Sequence, residues 1–134
     1  MVNTVTREVI NDGHRNYIVK VHINSDGTEE TGLQLFDPAS AEPPFDNATL
    51  WALDYSMAGN FQGVLMWEGT ANEKLLTLSN DQAAQHDFSR FGGHRNTVPV
   101  GRTGAILLET TGIASTDEIT LTLWMRKDHL TVAI

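Results

Sequence analysis

The stretch "EITLTLWMR", Glu118–Arg126, decides the fold class. Ile119, Leu121, Leu123 and Met125 fall on one side of an extended chain, and Thr120, Thr122, Trp124 and Arg126 fall on the other. Successive side chains of a strand point to opposite faces, so this period of two describes a strand with one face in a core and one toward water. Its β-branched and aromatic content agrees. The expected register buries Leu121, exposes Thr122 and leaves Trp124 as a large ring on the polar face.

The same pattern recurs upstream. In "NYIVKVHIN", Asn16–Asn24, Tyr17, Val19, Val21 and Ile23 oppose Ile18, Lys20, His22 and Asn24. Preceded by "VTREVI" and by Asn11-Asp12-Gly13, which can supply positive φ, this segment reads as the second arm of a hairpin. "NSDGTEETGLQLF", Asn24–Phe36, reads as a second hairpin turning at Ser25-Asp26-Gly27. "DPASAEPPFDN", Asp37–Asn47, holds three of the four prolines and is expected as a long surface loop, because proline cannot donate to a ladder.

Further strands are expected in "ATLWALDYSM", "FQGVLMWEG", "EKLLTLS" and "GAILLETTG". Closely spaced glycines leave room for at most one short helix, near "NDQAAQ", Asn80–Gln85. Eight or so short strands in 134 residues imply an all-β fold. The expectation is an antiparallel β-sandwich, jelly-roll-like, in a single domain spanning residues 1–134.

Composition narrows the function classes. With 40% apolar and 19% charged residues the chain has the mix of a folded protein, not of a disordered one. No apolar run approaches the roughly 20 residues that a helix needs to cross a bilayer. "MVNTVTREVIND" has no basic stretch leading into an apolar one, so no secretory signal is expected. There is no cysteine, which removes disulfides and thiolate metal sites.

The net charge is −8, and it is unevenly spread. Val21–Glu73 carries nine acidic side chains and no Lys or Arg, whereas His86–Arg102 carries Arg90, Arg95 and Arg102 against Asp87 alone. A chain this acidic repels phosphates and anionic lipid, so neither nucleic acid nor membrane is expected as a partner. The plain reading of the acidic excess is a solvated surface.

The densest collection of reactive residue types is "HDFSRFGGHRN", His86–Asn96. A serine–histidine–aspartate triad needs a base within reach of the hydroxyl and a third group orienting the base. Adjacent His86 and Asp87 on an extended chain point to opposite sides, and Ser89 lacks the strained elbow that exposes a nucleophile. His86 and His94 lack the i, i+4 spacing of a helical zinc motif, and no third ligand is placed. The expected reading is a structural loop with Phe88 and Phe91 as anchors and Gly92-Gly93 as the turn. No catalytic residue, metal ligand or cofactor follows. Trp51, Trp67 and Trp124 could form a sugar platform, but tryptophan in a small β-domain more often belongs to the core. Trp124 is the exception, since an exposed ring on that face marks a contact surface.

Two segments, Val64–Gly93 and Gly104–Asp128, resemble small virion structural proteins of tailed bacteriophages, marine ones in particular. The resemblance is carried by Trp67 and Gly69, by Asp87–Ser89 with Phe91–Gly93, by Gly104 and Ile106 with Gly112, and by the Ile119–Lys127 strand. Ala105 stands where an acid is usual. The resemblance implies a non-enzymatic capsid decoration or cement protein of β-sandwich type, often trimeric. Such a protein is made in the bacterial host cytoplasm, assembled onto the virion, and binds and stabilises the major capsid protein lattice. The basic loop and the acidic block are then read as complementary surfaces of neighbouring subunits. Arg90, Arg95 and Arg102 would face carboxylates, with Trp124 near the contact. A tail-associated or carbohydrate-binding adhesion module is the alternative, and it would expose at least two tryptophans in one plane. A hydrolase would instead gather His86 or His94 with a carboxylate in a pocket.

Overall fold

The computed structural model describes residues 3–13, 15–42, 44–78, 83–88, 93–96, 98, 100–101 and 103–130. Among them the chain forms ten strands and one short 3-10 turn. The strands are β1 (Thr4–Asp12), β2 (Asn16–Asp26), β3 (Thr31–Gln34), β4 (Phe45–Ala58), β5 (Gln62–Trp67), β6 (Glu73–Leu78), β7 (Ala83–Asp87), β8 (His94–Arg95), β9 (Ile106–Thr111) and β10 (Ser115–Leu130). They build two antiparallel sheets. The larger has the order β1-β2-β10-β4-β7, with β8 also on β4, and the smaller has the order β3-β9-β5-β6.

The winding is that of a jelly roll. Setting aside β1 and β8, eight strands remain, and the first (β2) pairs with the last (β10) and the second (β3) with the seventh (β9). The third (β4) pairs with the sixth (β7), and the fourth (β5) with the fifth (β6). A long hairpin rolled over itself gives this order, and it places both sheets around one core.

Strand β10 carries the period-two pattern into that core. Leu121 lies opposite Val21 on β2 and Tyr55 on β4, and Leu123 lies opposite Val19 and Leu53. Ile119, Leu121 and Leu123 are fully buried, and Met125 is nearly so. Thr120, Thr122 and Trp124 are half-buried on the outer face, with Arg126 exposed. The register read from the sequence holds because a one-residue slip would turn all four apolar side chains into water.

Three expectations need correction. Asn24–Phe36 is not a hairpin: after β2 the chain crosses to the other sheet, where β3 pairs with β9. Ser25 Oγ accepts the Gly27 N–H and Asp26 Oδ1 accepts the Thr28 N–H, and Gly27 adopts a φ of 99°, so local side-chain bonds make the crossing. The proline segment is not a surface loop throughout. Asp37 caps a 3-10 turn at Pro38–Ser40, and Pro38, Ala41 and Phe45 are buried. Apolar side chains at this spacing outweigh the loop character of the prolines. The helix placed near Asn80–Gln85 is absent where the structure describes it, since Ala83–Gln85 open β7; residues 79–82 lie outside the described residues. Pairing with the free edge of β4 overrides the helical propensity of two alanines.

Candidate functional site

The stretch His86–Asn96 is an interruption in an edge strand. Strand β7 pairs with β4 as far as Asp87 opposite Ala52, and β8 resumes on the same edge with His94 opposite Leu50. The intervening residues thus span a single β4 position, Trp51, whose carbonyl accepts the Phe88 N–H at 3.0 Å. Serine 89, Arg90, Phe91 and Gly92 lie outside the described residues, as does Arg102, and of Arg95 only the backbone in β8 is described.

The described ends of this loop are tied down. The Phe88 carbonyl accepts the Gly93 N–H at 2.8 Å, and the Ala48 carbonyl accepts the Asn96 N–H at 3.2 Å. Phe88 is buried, with the His86 ring stacked 6.0 Å from it and the His94 ring edge-on at 5.7 Å. His86 also stacks on Tyr55. Gly93 has a φ of 91°, and a Cβ there would collide with Thr49 Cγ2 and press on the Trp51 ring. At the far side, a Cβ on Gly69 would collide with Val98. Of the residues that carry the resemblance, Gly69, Phe88 and Gly93 therefore act here as packing residues. His86 faces inward and Asp87 outward on opposite sides of β7, so the two do not form a base and its orienter.

The outer face of the larger sheet brings together what the sequence left apart. Opposite the Trp124–Met125 step the register of β4 slips by one, from Ala52 to Leu50. This bulge turns Trp51 onto the same outer face as Trp124. Trp51 and Trp124 line a shallow groove of about 260 Å³ with Asn16, Ile18, Met125 and Arg126. They also line a second of about 300 Å³ with Ala52, Gln85 and Asp87. The Arg126 guanidinium lies over the Trp51 ring, 5.1 Å from its centroid, which fixes the plane of that ring. Trp67, by contrast, is 1% exposed and belongs to the core. Only Trp124 of this pair is signalled by sequence alternation.

One polar chain on this face has no sequence signature. His22 Nδ1 is 2.7 Å from Thr120 Oγ1, and its Nε2 is 3.3 Å from Glu118 Oε1. The order hydroxyl–imidazole–carboxylate imitates a triad. Thr120, however, lies in a central strand paired on both sides, so its backbone N–H belongs to the ladder and offers no oxyanion donor. The arrangement is a cross-strand polar bridge. Among the described residues no group of three or more His, Asp or Glu side chains is placed to hold a metal ion.

The acidic side has its own order. Glu29 accepts the N–H groups of Gly112 and Ile113, at 2.6 and 2.9 Å, and the Thr110 hydroxyl at 3.1 Å. Loss of solvent raises its carboxyl, but these three donors outweigh that and hold it below the ordinary glutamate value. This acid is a structural clamp across the two sheets' connections, not a free charge.

No family model matches the sequence, and neither does a curated protein. Two solved structures are similar in shape. One is a cupin superfamily protein from Desulfitobacterium hafniense DCB-2, 9% identical, covering 95% of this chain and 80% of that one at a TM-score of 0.36. The other is described as "CBM4 structure and function", 10% identical, covering 79% and 78% at a TM-score of 0.32. Likenesses at these scores carry no inference about ligand or activity.

Proposed function

We propose that this chain is a non-enzymatic bacteriophage virion structural protein, a capsid decoration protein that binds and reinforces the lattice of the major capsid protein. The observation that supports it best is the role of the resembling residues that are described: Gly69, Phe88 and Gly93 pack the described parts of the His86–Arg102 loop, and Trp67 belongs to the core, so none of them forms part of a reactive centre. In this reading the seated loop carries Arg90, Arg95 and Arg102 to carboxylates of a neighbouring subunit or of the lattice. Exposed ion pairs contribute about 0–1 kcal/mol each, so apolar burial holds the contact and charge sets its orientation and rate. A closed ring, here a trimer, follows if each subunit offers two different complementary surfaces.

Co-sedimentation with undecorated capsids of the phage that carries the gene tests the reading. Binding that saturates and weakens when all three arginines become Glu supports it. A folded protein that stays in the supernatant overturns it. The second reading, an adhesion module, is favoured by one observation, the sharing of an outer face by Trp51 and Trp124.

A further inference from the structure

We infer that the Trp51–Trp124 face binds a neutral oligosaccharide lying across the strands. This rests on the adhesion reading and is independent of capsid binding. The two grooves share both tryptophans as their common wall, one reaching Asn16 and Ile18 on β2 and the other Gln85 and Asp87 on β7. From β2 across β10 and β4 to β7 is three strand spacings, about 14 Å at roughly 4.8 Å each, so the surface suits a chain of sugar rings better than a single one.

The chemistry of the lining matches that ligand. The faces of indole rings are electron-rich and attract the C–H bonds of a pyranose's apolar side, while their edges leave hydroxyls free to reach polar neighbours. Those neighbours are polar groups at both ends: Asn16 on one side, where Arg126 lies over one face of Trp51, and Gln85 and Asp87 on the other. A protein hot spot sits in a fully desolvated pocket, whereas both grooves here are shallow and open.

Charge selects the neutral class. Glu8, Asp54, Asp87 and Glu118 share the outer face with only Lys20 and Arg126, so it offers no cationic track for a polyanion. The net charge of −8 adds repulsion against sulfated or uronate chains.

The test is a glycan array of neutral and anionic oligosaccharides of one to six rings, probed with the intact protein and with Trp51→Ala, Trp124→Ala and Trp124→Phe. The expected result is retention of neutral oligomers over the matching single sugars, with at least a tenfold loss in each alanine variant and partial recovery in Trp124→Phe. Unchanged far-ultraviolet dichroism and thermal midpoint show that the variants fold. The inference is overturned if no neutral oligosaccharide is retained, if anionic glycans are preferred, or if the folded alanine variants bind as the parent does. Capsid co-sedimentation of the parent protein separates the two ideas: glycan retention without capsid binding leaves this inference standing and removes the decoration reading, and capsid binding without glycan retention does the opposite.

Discussion

The ammonium of Lys127 lies 2.7 Å from Asp12 Oδ1, with its whole side chain buried and the rings of Tyr17 and Phe45 at 5.9 and 5.6 Å. Lys127 continues the inward series Ile119, Leu121, Leu123 and Met125, so its stem occupies a core position and its charge must find a partner at the end of the sandwich. Asp12 supplies that partner from the last residue of β1, and its other oxygen accepts the Glu42 N–H. Burial, and then the carboxylates of Asp12 and Asp37, push the Tyr17 hydroxyl up. A first prediction follows from the asymmetry of buried pairs. Asp12→Ala leaves an ammonium in the core and should cost up to about 3–5 kcal/mol, while Lys127→Met should cost much less. Urea denaturation of both variants checks this, and the reverse order would refute the account.

Replacing Leu121 by Asp should prevent soluble expression, since an unpaired carboxylate would sit between Val21 and Tyr55. The same change at Thr122, on the outer face, should leave a folded protein. Equal tolerance at the two sites would mean that the strand's faces are misassigned.

Phe88→Ala should destabilise the fold by about 3–5 kcal/mol, because the ring is buried between two histidines. His94→Ala removes only an edge contact and should cost clearly less. A thermal midpoint unmoved by Phe88→Ala would show that the loop does not depend on this anchor. Phe91, the second expected anchor, lies outside the described residues.

Glu29 gives a pH prediction. Its folded carboxyl is held below the ordinary value by the Gly112, Ile113 and Thr110 donors that outweigh its desolvation. The fold therefore favours the ionised form: its contribution is complete above the unfolded value of about 4.3 and fades as pH falls through the lower folded value. Glu29→Gln should be less stable at neutral pH and should lose less of its stability between about pH 5 and pH 3. Parallel stability curves for the two proteins across that window would rule out the clamp.

Gly93→Ala should destabilise the protein and disturb the tryptophan face together. The substitution forces a side chain into positive φ and into Thr49 and Trp51. Near-ultraviolet dichroism of the tryptophans should change along with the melting midpoint. A loss of stability with an unaltered tryptophan signal would separate the loop from the groove.

The sequence by itself determined the strands with strong alternation. Over Asn16–Asn24 of β2 and Glu118–Arg126 of β10 the inward and outward positions are legible, because a half-buried strand has only one energetically acceptable phase. It also determined that His86 and Asp87 point apart, since adjacent residues of any strand do. Tertiary structure alone decided the rest. The crossing at Gly27, the burial of Pro38 and Phe45, and the strand at Ala83–Asp87 depend on which distant edge was left unpaired. The tryptophan face shows the reason most plainly. Strict alternation in β4 groups Trp51 with Leu53, Tyr55 and Met57 in the core, and a one-residue bulge against β10 moves it outside, beside Trp124. A bulge is set by the mismatch between two paired strands, and no single strand's sequence contains that mismatch.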